Sequence, residues 1–374
     1  PIEDFKGWLV LDGLNHRLAA GGLRVQKSLS GEHLKQMARN MTKKMRIWGM
    51  PINGAKSGID YDPQSPGKDE AVKRFMQAIK PYMSERYSMG GDLNTNMPRL
   101  DEIARSIGLP SIKVAIARAQ ELDLPEFEAR YRILDQAAIG DWTLGQMRAG
   151  YGVAMAALAL LDHLGIDHRQ ARATVQGFGT LAKASLVGLR EAGVRLAAIC
   201  DARQCLRAEG QQGLDIERLL AVDGTLLPDM TGSGAVSVLR REALLSVEAD
   251  VLLLEAVENA VTADNAARVE ARGLVPGANL AVTQAAQTAL HARGIPVLPC
   301  FLAGSGGSVA MNGLFGPCDP PSPRQVLDWV KSEMVAMVGQ ILLASDAQHR
   351  TPTQIAERMV ADEPGIDRAR PYAV

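Results

Sequence analysis

The sequence predicts an α/β protein of two domains, and three observations carry that expectation. Its 374 residues, 47% of them apolar, are more than one ordinary core requires. From about Ala171 to Cys318, short apolar runs alternate with helical patterns, the order expected of a parallel sheet covered on both faces. Inside that region the run from Arg172 to Val175 leads into Gln176-Gly177-Phe178-Gly179-Thr180-Leu181-Ala182. A helical pattern follows to Gly193, and a second run, Val194 to Cys200, stops at Asp201.

Strand, glycine turn, helix, strand and terminal acid is the arrangement a dinucleotide site needs. The glycines let backbone approach a pyrophosphate, the helix N-terminus stabilises its charge, and the acid accepts hydrogen bonds from a ribose diol. A Rossmann-type, doubly wound NAD-binding domain is therefore expected over 146–322. An N-terminal α/β substrate domain is expected over 1–145, with 323–374 packing back on it. Gly177, Phe178, Gly179, Thr180, Leu181, Asp201, Ala202 and Arg203 are the candidate cofactor contacts. Ala182 stands where a third glycine is usual and still permits close helix–strand packing. Asp201 would repel a 2′-phosphate, which favours NAD over NADP. Arg203 could offset that charge and keep NADP open, or be a solvated loop cation.

The elements follow in order. Gly7 to Leu14 reads as a strand and Leu18 to Val25 as its antiparallel neighbour. Ser30, Glu32 and apolar Leu34, Met37 and Met41 open an amphipathic helix. A Pro51-Ile52-Asn53-Gly54 turn leads into a strand from Ala55 to Tyr61. Asp69 to Tyr82 is helical, Tyr87 to Leu93 extended, and Leu100 to Ile107 a short helix. Ser111 to Asp141 mixes weak signals and is not assigned. Trp142 to Leu164 reads as one long alanine-rich helix, interrupted by Gly145, Gly150 and Gly152, that joins the two domains. Val251 to Leu254, Leu274 to Pro276 and Ile295 to Leu298 are short strands. Beyond Gly316-Pro317, Pro323 to Leu343 is an amphipathic helix, and the last dozen residues are expected to be loosely held.

Composition narrows the function class. A formal net charge of -1 supplies no basic field for nucleic acid. Cys200, Cys205, Cys300 and Cys318 show neither metal-ligand pairing nor a disulfide framework, so a reduced, cytoplasmic setting and no metal are expected. The apolar run Val153 to Leu161 meets Asp162 and His163 before it could cross a bilayer, and no charged-then-apolar leader opens the sequence.

Chemistry-bearing residues also occur in the first half. Lys56 lies in Gly54-Ala55-Lys56-Ser57-Gly58, where small neighbours let a ligand approach closely. Desolvation, or a second cation such as Lys44, would depress an ammonium pKa toward neutrality, where it serves proton chemistry. By spacing alone both lysines read as surface residues. Asp92, in Gly90-Gly91-Asp92-Leu93-Asn94-Thr95, reads by itself as a turn-former.

Together these pieces resemble the glutamate/leucine/phenylalanine/valine dehydrogenase family of amino acid dehydrogenases, from about Gly21 to Asn312. Gly21-Gly22-Leu23-Arg24 is similar to the glycine-pair segment that lines the substrate pocket, and Met41-Thr42-Lys43-Lys44 to the segment whose lysine binds the α-carboxylate. Pro51 to Gly58 resembles the catalytic-lysine loop, and Gly91-Asp92-Leu93-Asn94-Thr95-Asn96 the catalytic-aspartate segment. Arg148 to Val153 resembles the start of the interdomain helix. Gln176-Gly177-Phe178-Gly179, Glu255-Ala256-Val257-Glu258-Asn259, Gly277-Ala278-Asn279 and Ala303-Gly304-Ser305-Gly306-Gly307 resemble cofactor-side segments.

The resemblance implies reversible oxidative deamination of an L-amino acid to a 2-oxo acid and ammonia, with a nicotinamide cofactor. It implies Lys56 and Asp92 as catalytic residues, Lys44 on the substrate carboxylate, and Ala256, Val257, Asn259 and Asn279 as further cofactor contacts. The two lysines and Asp92 are then expected to converge on the nicotinamide edge.

Departures from the pattern bear on the substrate. Glutamate-specific members share a lysine just before the glycine pair and a serine after the later one; here those places hold Ala20 and Met311. A buried γ-carboxylate without its cation would cost several kcal/mol, so a substrate other than glutamate is expected. Ala20, Gly21, Gly22, Gly90, Ser308 and Met311 are the candidate pocket residues, with room for an aromatic, long aliphatic or partly polar side chain. Ala149 and Gly304 stand where threonine and asparagine are usual, each losing a contact of about 1 kcal/mol. The segment before the first glycine pair is shorter than in larger relatives, so a dimer is expected in place of a hexamer. The rivals are a biosynthetic member acting on an unusual amino acid or cyclic imine, and a silent dinucleotide-binding scaffold or sensor.

Overall fold

The computed structural model describes residues 4–230, 232, 234–361 and 371–372. The chain divides into two compact units: Pro1–Arg132 with Phe315–Cys318 and Val360–Val374, and Ile133–Leu314 with Asp319–Met359.

The first unit contains β1 (Lys6–Asp12), β2 (Leu18–Gln26), α1 (Gly31–Arg46), β3 (Ile52–Asp60), α2 (Lys68–Ala78), α3 (Lys80–Glu85), β4 (Tyr87–Gly91), α4 (Met97–Ser106), α5 (Ala115–Gln120) and α6 (Leu124–Tyr131). Its sheet has the order β1-β3-β2-β4. β2 runs parallel to β3 and β4, and β1 runs antiparallel to β3. The expected β1–β2 pairing is therefore incorrect: β3 lies between them. β3 is buried along nearly its whole length, whereas β1 is half-exposed. The strand with two faces to bury takes the interior, and the α1 crossover returns it parallel to β2.

Strand alternation gives this sheet two different faces. Ala19, Leu23, Val25, Ala55, Ile59, Tyr87 and Met89 join one apolar core with residues of α2, α3 and α4. The intervening residues, Ala20, Gly22, Arg24, Gly54, Lys56, Gly58, Ser88 and Gly90, point to the other side, where α1 packs. A Cβ on Gly54 would lie 2.2 Å from the Ala38 carbonyl oxygen and 2.2 Å from the Thr42 nitrogen, so only glycine lets the helix sit this close. Gly54 N donates to Thr42 Oγ1 at 3.1 Å, which locks that approach.

Local chemistry sets the boundaries. Ser30 caps α1 by accepting from His33 N, and Lys43, Lys44 and Arg46 occupy its last turn, where cations suit the helix dipole. The turn expected at 51–54 comes earlier, at Gly49 (φ 63), and β3 already begins at Ile52, which pairs with Leu18. The single helix expected over Asp69 to Tyr82 is two, because Pro81 has no N–H to continue the first and instead opens α3.

The second unit contains β5 (Ala137–Ile139), β6 (Trp142–Thr143), α7 (Leu144–His163), β7 (Arg172–Gln176), α8 (Thr180–Glu191), β8 (Arg195–Cys200), β9 (Cys205–Ala208), α9 (Ile216–Leu220), β10 (Val236–Leu239), β11 (Val251–Leu254), β12 (Leu274–Pro276), α10 (Gln284–Ala292), α11 (Cys300–Ala303), α12 (Gly306–Phe315), α13 (Pro323–Gln348) and α14 (Pro352–Met359). Its sheet has the order β10-β9-β8-β7-β11-β12. β8, β7, β11 and β12 are parallel, but β9 and β10 are antiparallel. The expected parallel sheet is present in those four strands, and beyond Asp201 two antiparallel strands, which the alternating runs did not indicate, extend it. There the chain reverses in a tight hairpin, Asp201 N donating to Gln204 O, with no room for a crossover helix. The expected strand Ile295 to Leu298 reduces to one bridge, Leu274 to Val297.

α7 begins in a capping box of Thr143 and Gln146. It is long and apolar enough to cross a membrane, yet 78% of its apolar window is buried inside the protein, where it packs on α8 and α13. α13 thus belongs to the second unit, which corrects the expectation that 323–374 packs as a whole on the first domain. α7 offers the apolar stripe that α13 must cover. Among the described residues beyond Leu314, only Phe315–Cys318, Val360, Ala361, Pro371 and Tyr372 belong to the first unit. Arg130 donates to the Cys318 carbonyl at 2.5 Å, and the ring of Phe315 lies 5.8 Å from Phe127 and 6.2 Å from Tyr372. The expectation of a loosely held C-terminus falls mostly outside the described residues; Tyr372 itself is buried.

Gly54→Ala is expected to lower the stability of the first unit by about 2–3 kcal/mol, because backbone on both sides must move. Denaturant unfolding of variant and wild type measures this, and an unchanged midpoint would contradict the close approach.

Candidate active site

The catalytic candidates meet in the first unit. Lys56, buried on β3, places Nζ 2.9 Å from Asp92 Oδ2. The same oxygen accepts from Arg24 Nε at 2.8 Å. Arg24 reaches it because it lies two residues beyond Gly22 on the α1-covered face of β2. Asp92 follows β4 in a turn tied to β2. Asp92 N donates to Thr95 Oγ1, Thr95 Oγ1 donates to the Leu23 carbonyl, and Asn94, at φ 63, donates to the Val25 carbonyl. Burial alone would raise the Asp92 carboxyl, but the Lys56 ammonium and Arg24 guanidinium outweigh it and hold it at about 2. Lys56 thus forms an ion pair with an ionised carboxylate, and Arg24 is the second cation on that carboxylate.

Small residues form the floor beside this cluster. A Cβ on Gly22 would lie 2.9 Å from Asp92 Cβ, and one on Gly21 would lie 1.7 Å from the Ala55 carbonyl oxygen. Gly22 pairs with Gly90 across the β2–β4 ladder, and Ala20 with Gly54 and Ser88. Lys44 is buried on α1, two residues past Thr42. Ser308, half-buried, and Met311, buried, lie on α12 of the second unit.

The nucleotide candidates gather at the C-terminal ends of the parallel strands of the second unit. Gly177 is at φ 115, and a Cβ there would lie 3.3 Å from Ala256 Cβ and from the Glu255 backbone. A Cβ on Gly179 would meet nothing within 4 Å. Gly179 is the N-cap of α8 and supplies no side-chain cap, so the first N–H groups of the helix are not claimed by a capping side chain. Open space in front of uncapped N–H groups fits a pyrophosphate. Thr180 is exposed, Leu181 half-buried, and Phe178 is buried with the Lys183 ammonium 4.7 Å from its ring centre. Ala256, Val257 and Asn259 are exposed just past β11, and Asn279 is half-buried just past β12.

Asp201 has structural work that the sequence reading did not anticipate. Oδ1 accepts from Arg203 N and Gln204 N at 2.7 and 2.8 Å, and Oδ2 accepts from Leu227 N at 2.7 Å. A carboxylate has about four acceptor sites, so three backbone bonds leave little capacity for a ribose diol. Ala202 and Arg203 are exposed at the tip of the same hairpin. Gly304 also changes meaning. A Cβ there would lie 2.4 Å from the Gly277 carbonyl oxygen, so packing forbids asparagine at this position.

Three residues escaped the sequence reading. Arg24 could have been found from its i, i+2 spacing to Gly22. Lys113 is buried, and its Nζ lies 3.7 Å from where a Gly90 Cβ would be; nothing local marks it, because its placement depends on a loop. Glu255 is a buried acid at the end of β11. Ser185 Oγ donates to its Oε1, and Oε2 has no hydrogen-bond partner among the described residues. Burial pushes this carboxyl up to about 8, with the Ser185 hydrogen bond opposing. Glu255 is thus mostly neutral at pH 7 and adds little negative charge beside the glycine turn.

Between about pH 4.5 and 8 the folded protein keeps a proton on Glu255 that the unfolded chain releases, so this group erodes stability as pH rises. Glu255→Gln is expected to gain Tm over wild type progressively across that window, by several °C at its top, or roughly a few kcal/mol. Thermal unfolding at stepped pH checks this; a constant offset between the two proteins would refute it.

Comparison with known proteins agrees with this geometry. The family model described as Glutamate/Leucine/Phenylalanine/Valine dehydrogenase matches residues 144–314, and that described as Glu/Leu/Phe/Val dehydrogenase, dimerisation domain, matches residues 2–107. The glutamate dehydrogenase of Thermotoga maritima is 28% identical over 318 residues, 82% of this chain and 71% of that protein. The NAD-specific glutamate dehydrogenase of Clostridioides difficile is 27% identical over 321 residues, 82% and 71% of the two chains. Among solved structures, hetero-hexameric glutamate dehydrogenase from Thermus thermophilus matches with TM-score 0.75 at 24% identity, over 95% of this chain and 82% of that one. L-tryptophan dehydrogenase from Nostoc punctiforme matches with TM-score 0.60 at 17% identity, over 96% and 91%. With both family models matched in register and the Lys56–Asp92 pair assembled, the chain belongs to the Glu/Leu/Phe/Val dehydrogenase family of amino acid dehydrogenases.

Proposed function

We propose that this protein catalyses the NAD-dependent, reversible oxidative deamination of an L-amino acid other than glutamate, giving a 2-oxo acid and ammonia. The observation that carries this reading is the buried Lys56–Asp92 contact of 2.9 Å beside a glycine floor. NAD, with NADP as an alternative, fits the Gly177–Gly179 turn and the uncapped start of α8. When bound, it accepts the hydride that leaves the substrate Cα.

The residues of this chain handle the remaining charges and protons. Lys44 binds the substrate α-carboxylate as a charge-assisted pair and fixes the orientation of Cα. Loss of hydride leaves an iminium carbon that water must attack. Lys56 orients that water and moves its proton, and Asp92 exchanges protons with the amino nitrogen. Asp92 is a poor acceptor while both cations face it. Once Lys56 has released its proton to solvent it can accept one from the attacking water, and with one of the two charges holding the carboxyl down gone, Asp92 can take a proton from the amino nitrogen. Arg24 is the fixed positive charge that keeps Asp92 aimed throughout.

The absence of the glutamate-type lysine at Ala20, together with Met311 in place of serine, supports a side chain other than that of glutamate. Assembly as a homo-oligomer, in the first instance a dimer, is part of the same proposal, and the family description of residues 2–107 supports it. A cytoplasmic setting is part of the same proposal.

Ammonia-dependent NADH oxidation across a panel of 2-oxo acids tests the reaction. Turnover with at least one acid is expected, falling about 10²–10⁴-fold in Lys56→Ala and in Asp92→Asn, with circular dichroism unchanged. NADH binding without turnover on any acid would favour the silent scaffold. Light scattering in solution is expected to report a dimer; a monomer or hexamer would contradict that part.

A further inference from the structure

We propose that Glu255 couples dinucleotide binding to a proton: the second unit takes a pyrophosphate while this carboxyl is protonated, and loses affinity for it once the proton leaves. This rests on the nicotinamide-cofactor reading above, and gives a role to a buried acid that the deamination chemistry does not use.

Glu255 stands where β11 ends, between β7 and β12 in the sheet. Its N–H donates to the Gln176 carbonyl at 2.9 Å, which ties it to the residue before Gly177. A Cβ on Gly177 would lie 3.3 Å from the Glu255 carbonyl carbon and oxygen, so the glycine turn rests directly on this residue. Strand alternation sends Leu252 and Leu254 into the core on one face and turns Glu255 to the other, toward α8. There Ser185 Oγ donates to Oε1, and the same hydroxyl lies 2.9 Å from the Gly150 carbonyl oxygen of α7. The compartment is closed on several sides. A Cβ on Gly150 would lie 2.1 Å from the Leu181 carbonyl oxygen, so α7 and α8 touch backbone to backbone. A Cβ on Gly277 would lie 3.2 Å from Glu255 Cγ and 3.4 Å from Oε1, so the end of β12 packs on the acid as well.

An ionised carboxylate offers about four acceptor sites. Here the Ser185 hydroxyl serves Oε1, and Oε2 has no hydrogen-bond partner among the described residues. No opposite charge compensates, because burial and the Ser185 hydrogen bond are what act on this carboxyl. The titratable groups of the packed elements are engaged elsewhere. On α7, Arg148 donates to the Gly307 carbonyl, Tyr151 responds to Arg324, Glu191 and Asp328, and Asp162 and His163 pair with His168 and Asp346. On α8, Lys183 donates to the Val222 carbonyl and Arg190 pairs with Glu217. At the end of β8, Cys200 responds to Asp201, Arg241 and Glu242. The proton therefore stays at neutral pH and leaves as pH rises past about 8.

A negative charge at this point acts on the cofactor. Ser185 is five residues past Thr180, about 8 Å along α8 from its first residue. At such a separation inside protein, a unit negative charge repels a doubly charged pyrophosphate enough to weaken binding about 10-fold or more. Because the cofactor prefers the protonated form, its binding raises the proton affinity of Glu255. Just above pH 8, binding then draws a proton from solvent. NADH is a suitable probe, since its dihydronicotinamide ring is uncharged and the pyrophosphate carries its whole charge.

The test is calorimetric titration of the whole chain with NADH and with ADP-ribose, which keeps the pyrophosphate but lacks the nicotinamide. Over steps from about pH 6.5 to about 9.5, the wild-type Kd for both is expected to stay level and then rise about 10-fold. At about pH 8.5, buffers of different ionisation enthalpy should reveal about half a proton taken up per NADH bound, and at about pH 6.5 none. Glu255→Gln keeps the shape without the titration, and should hold the low-pH Kd throughout with no proton uptake. Ser185→Ala removes a donor that favours the ionised form, and should move the weakening to higher pH. A level wild-type Kd, zero proton uptake by wild type, or equal weakening in Glu255→Gln overturns the coupling and leaves the cofactor reading intact. Absence of NADH binding at every pH overturns both. The wild-type proton count and Ser185→Ala decide the matter even if Glu255→Gln fails to fold.

Discussion

One buried charge arrangement organises the first unit: the Asp92 carboxylate pinned between the Lys56 ammonium and the Arg24 guanidinium. Three strands must agree for these groups to meet. β3 delivers Lys56, β2 delivers Arg24, and the turn after β4 delivers Asp92. An unpaired ion at this depth would cost several kcal/mol, so the cluster penalises any register in which the three strands slip. The small residues around it follow from that demand. Gly22 leaves space for Asp92, Gly21 lets β2 lie against Ala55, and Gly54 brings α1 down onto the lysine-bearing face.

That face is unusual because most of its residues are glycine or alanine, while the other face of the sheet is a conventional apolar core. The core side, with Tyr87, Met89 and Phe75, supplies the burial that stabilises the unit. The opposite side gives up burial to keep a floor on which a small molecule can lie. Stability and chemistry are thus divided between the two faces of one sheet by the period-two alternation of its strands. In the second unit the same division occurs along the strands, with the apolar core below and the loops Gly177–Gly179, 255–259 and 277–279 at the strand ends.

Charge is managed differently in the two units. The first keeps Asp92 ionised by surrounding it with cations. The second keeps Glu255 largely neutral by burying it and leaving one oxygen unpaired, so a negative charge is avoided where a pyrophosphate would bind. Two acids at similar depth therefore have opposite protonation at pH 7, and the cause in each case is the neighbouring charge or its absence.

The glycine turn at 177–179, the helix start at Ser30, and the strand, helix and strand from 172 to 200 were legible in the sequence, because each depends on a few adjacent residues. So were Lys56 and Asp92 as candidates, through motifs that keep their spacing. Strand order was not legible: whether β3 or β1 takes the interior depends on burial across the whole sheet. The antiparallel β9 and β10, the packing of α13 on α7, the backbone duties of Asp201 and the steric need for Gly304 are likewise settled by contacts between distant segments. Lys113 is the clearest case. Its chemistry is plain in the sequence, but its place beside Gly90 exists only because Met89, Asp101 and Tyr131 hold a loop against the sheet edge.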